Sequence, residues 1–406
     1  LCYVLFAVVF GGVAAVSFVV SLPTAKKILG KDQPATSAPI TIERDQDPSG
    51  EPTPVETMAE TTGEGIRSED LKDEVEKIVG DAMEKFPWTT KNLTELNDAF
   101  RNIYLESEKS IVTVSAVKND VDWFDNTYEN QGQTAGLIVA DNGKELLILV
   151  DDAAIRQAEE LEVSFYSGRS VPASLKGKDK ETGLAILSVA LEDIPEDIRK
   201  NVGSATMGSS GSSVQAVPVI AIGRPQGAET IIFGMVTSAD YYQNLTDHNV
   251  RLLKTDMMGL QGTGGVLINL SGKVLGIVHA GEVESSDVLS AYGISDLLTT
   301  VGKLSNGQKI AHMGITGTDV PDEIHLEKHV PVGAYVTGII MDSPAMRAGI
   351  QSGDVIVGME GEEITSFADY HAALLSCEPD TTVTVTVMRQ GQEEYQEMEI
   401  EVLLQE

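Results

Sequence analysis

Six histidines, two cysteines and 62 acidic side chains are among the groups in this 406-residue chain that could carry acid–base, nucleophilic or metal chemistry. The histidines are His248, His279, His312, His325, His329 and His371. His325 and His329 stand four apart in HLEKH, a spacing that could present two imidazoles together. No H-E-x-x-H occurs and no third ligand is indicated, so the pair reads as exposed loop side chains and no metal site is expected. Cys2 and Cys377 lie far apart in sequence, which excludes a disulfide framework and any Cys-rich zinc or iron–sulfur site. Cys377 reads as a buried or half-buried thiol. Neither G-x-x-x-x-G-K-(S/T) nor G-x-G-x-x-G is present, so no nucleotide cofactor, and no cofactor of any kind, is expected. With 29 Lys+Arg the net charge is −33, which repels phosphate backbones and argues against nucleic acid as a partner.

The elements that must position these groups follow from composition and periodicity. Hydrophobic residues at 42% and charged residues at 22% describe a globular chain. At roughly 100 to 200 residues per domain, its length allows two or three domains. Residues 1–24 open with an uncharged apolar run from Leu1 to Pro23, and about 20 helical residues span a bilayer's hydrocarbon core. The run exceeds a signal-peptide core and no A-x-A site follows, so an uncleaved transmembrane anchor is expected. Lys26, Lys27 and Lys31 follow it, and charge alone leaves its orientation open. Residues 25–67, rich in Pro, Thr, Ser, Glu and Gly, read as a disordered acidic linker. From Ser68, the residues Leu71, Val75, Ile78, Val79, Met83 and Phe86 recur at helical spacing, and a second helical stretch covers 93–104. Beyond Ser110 come short β-branched runs such as IVTVSAV, TAGLIVA and ELLILV, separated by Gly, Asn and Asp turns. That grammar predicts antiparallel barrels, two of them over roughly 200 residues. From about Gln308 a small α+β unit follows, with a helix over 366–375.

Several blocks then carry a resemblance. VIAIGRPQG and FGMVTSA (219–239), LLKTD (252–256), GGVLINLSGKVLGI (264–277) and AYGISDLL (291–298) stand in the order and near the spacing of the HtrA/DegP family, trypsin-like envelope proteases followed by a PDZ domain. The resemblance implies a mainly β protein, with a chymotrypsin-like double β-barrel over 68–305 and a small α+β PDZ domain over 306–406, behind the N-terminal transmembrane helix. AHMGIT (311–316) resembles the family's carboxylate-binding loop, with Met313, Gly314, Ile315 and Thr316 as peptide-binding residues. DSPAMRAGIQSGDVIVGMEGEEI (342–364) matches the block that follows it, and nothing in this site is visibly degenerate. Such a loop captures a peptide's terminal carboxylate while the peptide adds a strand to the sheet edge. Ala372, Leu374 and Leu375 belong either beside that groove or in the core. Peptide C-termini or unfolded proteins are the implied partners. The resemblance also implies a homotrimer, to which Phe86, Trp88 and Tyr104 contribute unless they pack the core. Its implied location is the bacterial cytoplasmic membrane, single-pass, with the folded domains extracytoplasmic and a role in envelope protein quality control.

The family's chemistry is what the matching positions lack. The His position falls on Ala153 in ILVDDAAI (148–155), the Asp position on Gly183 in DKETGLAIL (179–187), and the Ser position on Thr263 in GTGG (262–265). The last block is one residue short, which puts an oxyanion loop of Gly262, Thr263 and Gly264 in doubt. A serine-type protease needs a base for its hydroxyl and a carboxylate to orient that base. The expectation is a pseudoprotease that binds peptides. The alternative is an active serine-type endopeptidase with Thr263 as an unorthodox nucleophile and His279 as its base, although His279 reads more simply as a cleft or surface side chain. His248 is the other histidine in the barrel region flanking Thr263. A third reading is a purely structural envelope protein. Asp151 and Asp152, beside the lost His, read as solvated turn residues.

Overall fold

The computed structural model describes residues 39–42, 90–121, 127–156, 158–223, 229–258, 264–278, 288–392 and 394–406. The expected membrane anchor, almost all of the acidic linker and the helix expected from Ser68 lie outside the described residues, as do Phe86, Trp88, Gly262, Thr263 and His279. Among the described residues no helix is long and apolar enough to cross a membrane. The chain divides at Pro39, and Ile40–Glu406 form one compact unit.

Helix α1 (Thr90–Ser107) outruns the expected 93–104 at both ends and leads into the first barrel. Tyr104, near its end, is buried in the core between the barrels, so it packs inside this chain. The first barrel closes in the order β1 (Ile111–Val121), β2 (Thr127–Asp141), β3 (Glu145–Asp151), β6 (Leu184–Ala190), β5 (Ser170–Asp179), β4 (Glu160–Ser164). Short helices α2 (Asp152–Ile155) and α3 (Glu196–Arg199) follow β3 and β6. The second barrel closes in the order β10 (Gly265–Asn269), β11 (Val274–Val278), β12 (Val288–Gly293), β9 (His248–Met258), β8 (Thr230–Leu245), β7 (Pro218–Gly223).

Strands with no polar alternation need apolar surroundings on both faces, and the two-residue period shows where each face goes. In β3, Leu146, Ile148 and Val150 fill the interior of the first barrel, while Leu147 and Leu149 face the core shared by the barrels. β6 divides the same way, with Ala185 and Leu187 inside and Leu184 and Ile186 toward the shared core. β7 and β10 mirror this from the other side: Val219, Ala221 and Leu267 lie within the second barrel, and Ile220, Ile222, Val266 and Ile268 face the first. Helix α4 (Ile294–Ser305) adds Leu297, Leu298, Val301 and Leu304 to that shared core.

The C-terminal domain is a sheet ordered β13 (Ile315–Asp319), β14 (Ala334–Ile339), β15 (Val355–Met359), β17 (Thr382–Gln390), β18 (Tyr395–Leu403), with the short β16 (Glu362–Glu363) paired to β15. The alternation in β17 puts Val383, Val385 and Val387 in its core. Three helices accompany the sheet: α5 (Asp322–Lys328), α6 (Pro344–Ala348) and α7 (Phe367–Ser376). Ser366 is the cap of α7 rather than its first residue: its Oγ accepts from Asp369 N at 3.0 Å. The Asp369 carboxylate in turn accepts from Thr365 N (3.1 Å) and Oγ1 (2.6 Å), a reciprocal start signal. His325 lies on α5 and His329 caps it, so the pair belongs to a helix and not to a loop. His325 Nδ1 turns back to Val330 O at 2.7 Å. Among the described residues no group of three or more His, Cys, Asp or Glu is arranged to hold a metal ion.

Candidate functional site

The segments around Ala153, Gly183 and Gly264 meet at one end of the first barrel. Strand β3 ends at Asp151, whose carboxylate accepts from Ala153 N at 2.8 Å and so caps α2. Asp152 is on that helix, ion-paired with Arg156 at 3.1 Å and with Lys178 at 4.0 Å. Both carboxylates are buried, at 2% and 3% exposure, and are not the solvated turn residues expected from sequence. The reason is local: a helix that starts where a core strand ends has free N–H groups to satisfy within the protein. Asp152 N donates to Gly183 O at 2.8 Å, which ties the Ala153 segment to the Gly183 turn. Ala153 is exposed, and Gly183 has φ of 68°, a left-handed conformation that glycine adopts freely. Gly264 arrives from the second barrel: a Cβ there would lie 2.6 Å from Thr134 Oγ1 and 3.7 Å from Asp151 Cβ. Thr134 Oγ1 is buried without a hydrogen-bond partner among the described residues. The Tyr292 hydroxyl is held protonated by burial and by the charge of Asp151.

The described imidazoles are engaged elsewhere. His248 sits in the turn region between β8 and β9, stacked on His371 with ring centroids 3.6 Å apart, and so does not flank the Gly264 segment. His312, from the segment entering the C-terminal domain, places Nε2 3.2 Å from Asp179 Oδ1 and Nδ1 3.6 Å from Asp247 Oδ2. Asp179 is held further by Thr182 Oγ1 at 2.6 Å and Thr182 N at 3.1 Å.

The second candidate site is the loop before β13. Its three successive N–H groups converge on one carboxylate, that of Asp247 in the β8–β9 turn. Met313 N lies 2.9 Å from Oδ2, Gly314 N 2.8 Å from Oδ2 and 3.0 Å from Oδ1, and Ile315 N 3.0 Å from Oδ1. Gly314 has φ of 86°, and a Cβ on it would come within 2.3 Å of Ser343 Cβ, so the loop can take this shape only with glycine there. The Tyr370 hydroxyl donates to Asp247 Oδ1 at 2.7 Å. Asp247 N donates to Ile315 O at 2.7 Å, and Asn249 Nδ2 donates to Gly317 O at 3.1 Å. His371 Nδ1 is 2.9 Å from Asp247 O. Of the four residues expected to bind peptide, Met313, Gly314 and Ile315 direct their N–H groups at Asp247, whereas Thr316 lies on β13 and makes none of these contacts.

The electrostatics follow from burial against pairing. For Asp247 and Asp179 burial favours the neutral acid, but hydrogen bonding outweighs it, first from His312, and Asp179 falls to about 2. Burial likewise opposes charge on His312, yet its two carboxylates raise it to about 9, so it is imidazolium at neutral pH. Burial holds His248 down at about 3 and also lowers His371, so that stacked pair is neutral. Beyond Asp247 a cavity of about 490 Å³ lies between the C-terminal domain and the second barrel, lined by Thr318, Phe367 and Ala372 on one side and by Tyr242, Asn244 and Thr299 on the other. Leu374 lies in the core of the C-terminal domain and Leu375 in that between the barrels. Asp179, Asp247, His312, Tyr370 and His371 were not among the site residues expected from sequence. A Thr-Asp turn between two strands signals a hairpin, but nothing local signals that its carboxylate reaches a loop some 66 residues away.

Residues 134–277 match the trypsin-like peptidase domain family, and residues 311–402 match the PDZ domain family. The chain is HtrA-like. It is 27% identical over 285 residues to the serine protease Do-like HtrA of Lactobacillus helveticus, covering 65% of this chain and 67% of that one. It is 28% identical over 273 residues to the probable periplasmic serine endoprotease DegP-like of Pseudomonas fulva, where this chain spans 54% of the relative's length. Among solved structures, the HtrA-type protease AlgW with decapeptide superposes with a TM-score of 0.55 at 20% identity, over 75% of this chain and 98% of that one. AlgW with tripeptide gives 0.52 over 75% and 96%. These structural likenesses carry the fold: two barrels of chymotrypsin type followed by a PDZ domain.

Proposed function

We propose that this HtrA-like protein is a membrane-anchored pseudoprotease that binds peptide C-termini or unfolded-protein segments through its PDZ domain. Its folded domains would lie outside a bacterial cytoplasmic membrane, in envelope protein quality control. The observation that carries the binding half is the loop Met313–Ile315, whose three N–H groups converge on a carboxylate at 2.8 to 3.0 Å. A terminal carboxylate offers the same two acceptors. For the catalytic half, the position matching the base is Ala153 and that matching its orienting carboxylate is Gly183. Without a base the Thr263 hydroxyl stays a poor nucleophile, and triad loss costs on the order of 10⁶ in turnover.

Two measurements test the two halves. Unfolded casein is incubated with the full chain and with Thr263→Ala, and neither is expected to cleave it. Cleavage by the parent that vanishes in the variant would instead support the alternative, an endopeptidase using Thr263 with His279 as base. A fluorescein-labelled peptide with a free C-terminus is expected to bind, and its amidated counterpart is not. Sedimentation of the full chain checks the homotrimer that the family resemblance implies.

A further inference from the structure

We propose that the β8–β9 turn of the second barrel is an intramolecular ligand of the PDZ domain, its Asp247 side chain standing where a peptide's terminal carboxylate would bind. An incoming C-terminus must then compete with the protein's own barrel for the loop Met313–Ile315. The inference rests on the peptide-binding reading above and specifies how that site is controlled.

Three observations carry it. The first is the mode of capture. Asp247 is held by the N–H groups of Met313, Gly314 and Ile315 and by the Tyr370 hydroxyl, with the His312 imidazolium 3.6 Å away as its counter-charge. Successive loop N–H groups closing on one carboxylate is how a C-terminus is captured. The second is the backbone. Asp247 N donates to Ile315 O at 2.7 Å, the hydrogen bond by which an added strand begins, and Asn249 Nδ2 takes the next outward carbonyl of β13, Gly317 O, at 3.1 Å. Beyond that point the cavity beside β13 and α7 is closed on its other side by the same barrel, through Tyr242, Asn244, Asn249 and Thr299. The third is local conformation. Asp247 has φ of 59°, in the left-handed region that costs a non-glycine residue about 1 kcal/mol or more. Aspartate is among the residues that tolerate it, and here it turns the carboxylate into the loop.

The chemistry defines the partner: a chain ending in a free carboxylate replaces both oxygens of Asp247, and an amidated end does not. If the docked arrangement outweighs the open one tenfold, the apparent Kd for such a peptide is weakened tenfold. Asp247→Asn keeps the shape but turns an amide N–H₂ toward three donors. It is expected to tighten binding of a labelled decapeptide with a free, apolar C-terminal residue by tenfold or more. It is also expected to speed amide hydrogen exchange at residues 313–315 by a similar factor, while the strand 383–387 stays protected. Asn249→Ala removes the hairpin's hydrogen bond to Gly317 O without touching the carboxylate-binding groups, and is expected to give a smaller change in the same direction, which covers the case where Asp247→Asn does not fold. Unchanged exchange and unchanged affinity in a folded variant would overturn the internal ligand. Faster exchange with no peptide bound by either protein would uphold it and remove the peptide-binding reading instead.

Discussion

Gly264 and Gly314 each hold a backbone where no side chain fits, and each yields an expectation at the scale of one residue. At Gly264 a methyl group would meet Thr134 Oγ1 at 2.6 Å, inside the junction between the two barrels. Gly264→Ala is expected to destabilise the protein by about 1–3 kcal/mol, the usual cost of overpacking. Thr134→Ala in the same chain should return part of that loss, a coupling read by urea denaturation of both single variants and the double. At Gly314 the positive φ adds to the clash with Ser343 Cβ at 2.3 Å. Gly314→Ala is therefore expected to abolish free-carboxylate peptide binding in an equilibrium titration, because the three N–H groups no longer converge.

Among the elements, α7 decides how the PDZ groove meets the second barrel, since it carries both Tyr370 and His371 to Asp247. Its register is set by Ser366, and Ser366→Ala is expected to cost about 1 kcal/mol of stability, the usual worth of such a cap. Strand β3 illustrates the other kind of element. Leu149 is 2% exposed and faces the core between the barrels, so Leu149→Ala should cost about 2–5 kcal/mol in thermal or chemical denaturation. Its neighbour Ala153 is exposed, and changes there should be nearly silent for stability.

Across the whole molecule, His312 links all three folded parts: Asp179 of the first barrel, Asp247 of the second, and the PDZ domain whose loop it precedes. Its pKa rises on folding from 6.5 to about 9, so its contribution is complete below about pH 6.5 and is lost as pH climbs through 9. His248 and His371 act oppositely. Their pKa values fall on folding, with His248 at about 3, so the unfolded chain binds protons that the folded chain refuses as pH drops below about 6.5. Asp179, lowered to about 2, adds a further acid loss below its ordinary 3.8. The melting temperature should therefore peak near pH 6.5 and decline on both sides. Calorimetry between about pH 4 and pH 10 checks this, and His312→Gln should flatten the alkaline limb while leaving in place the part of the acid limb set by His248 and His371.

Much of this was legible in the amino-acid order. Short β-branched runs with turn residues specify antiparallel barrels because strand pairing and alternation are local, and the Met-Gly-Ile loop is readable through its resemblance to the family's carboxylate-binding loop. What sequence could not show depends on distance along the chain. Asp151 and Asp152 read as solvated because acidic pairs at turns usually are, and only the fold reveals that strand β3 ends inside the protein. The PDZ loop read as undegenerate because its own residues match the family's pattern. Asp247 fills it from another domain, and a contact between segments that share no local pattern is set only when both are folded and their carboxylate, amides and imidazole meet.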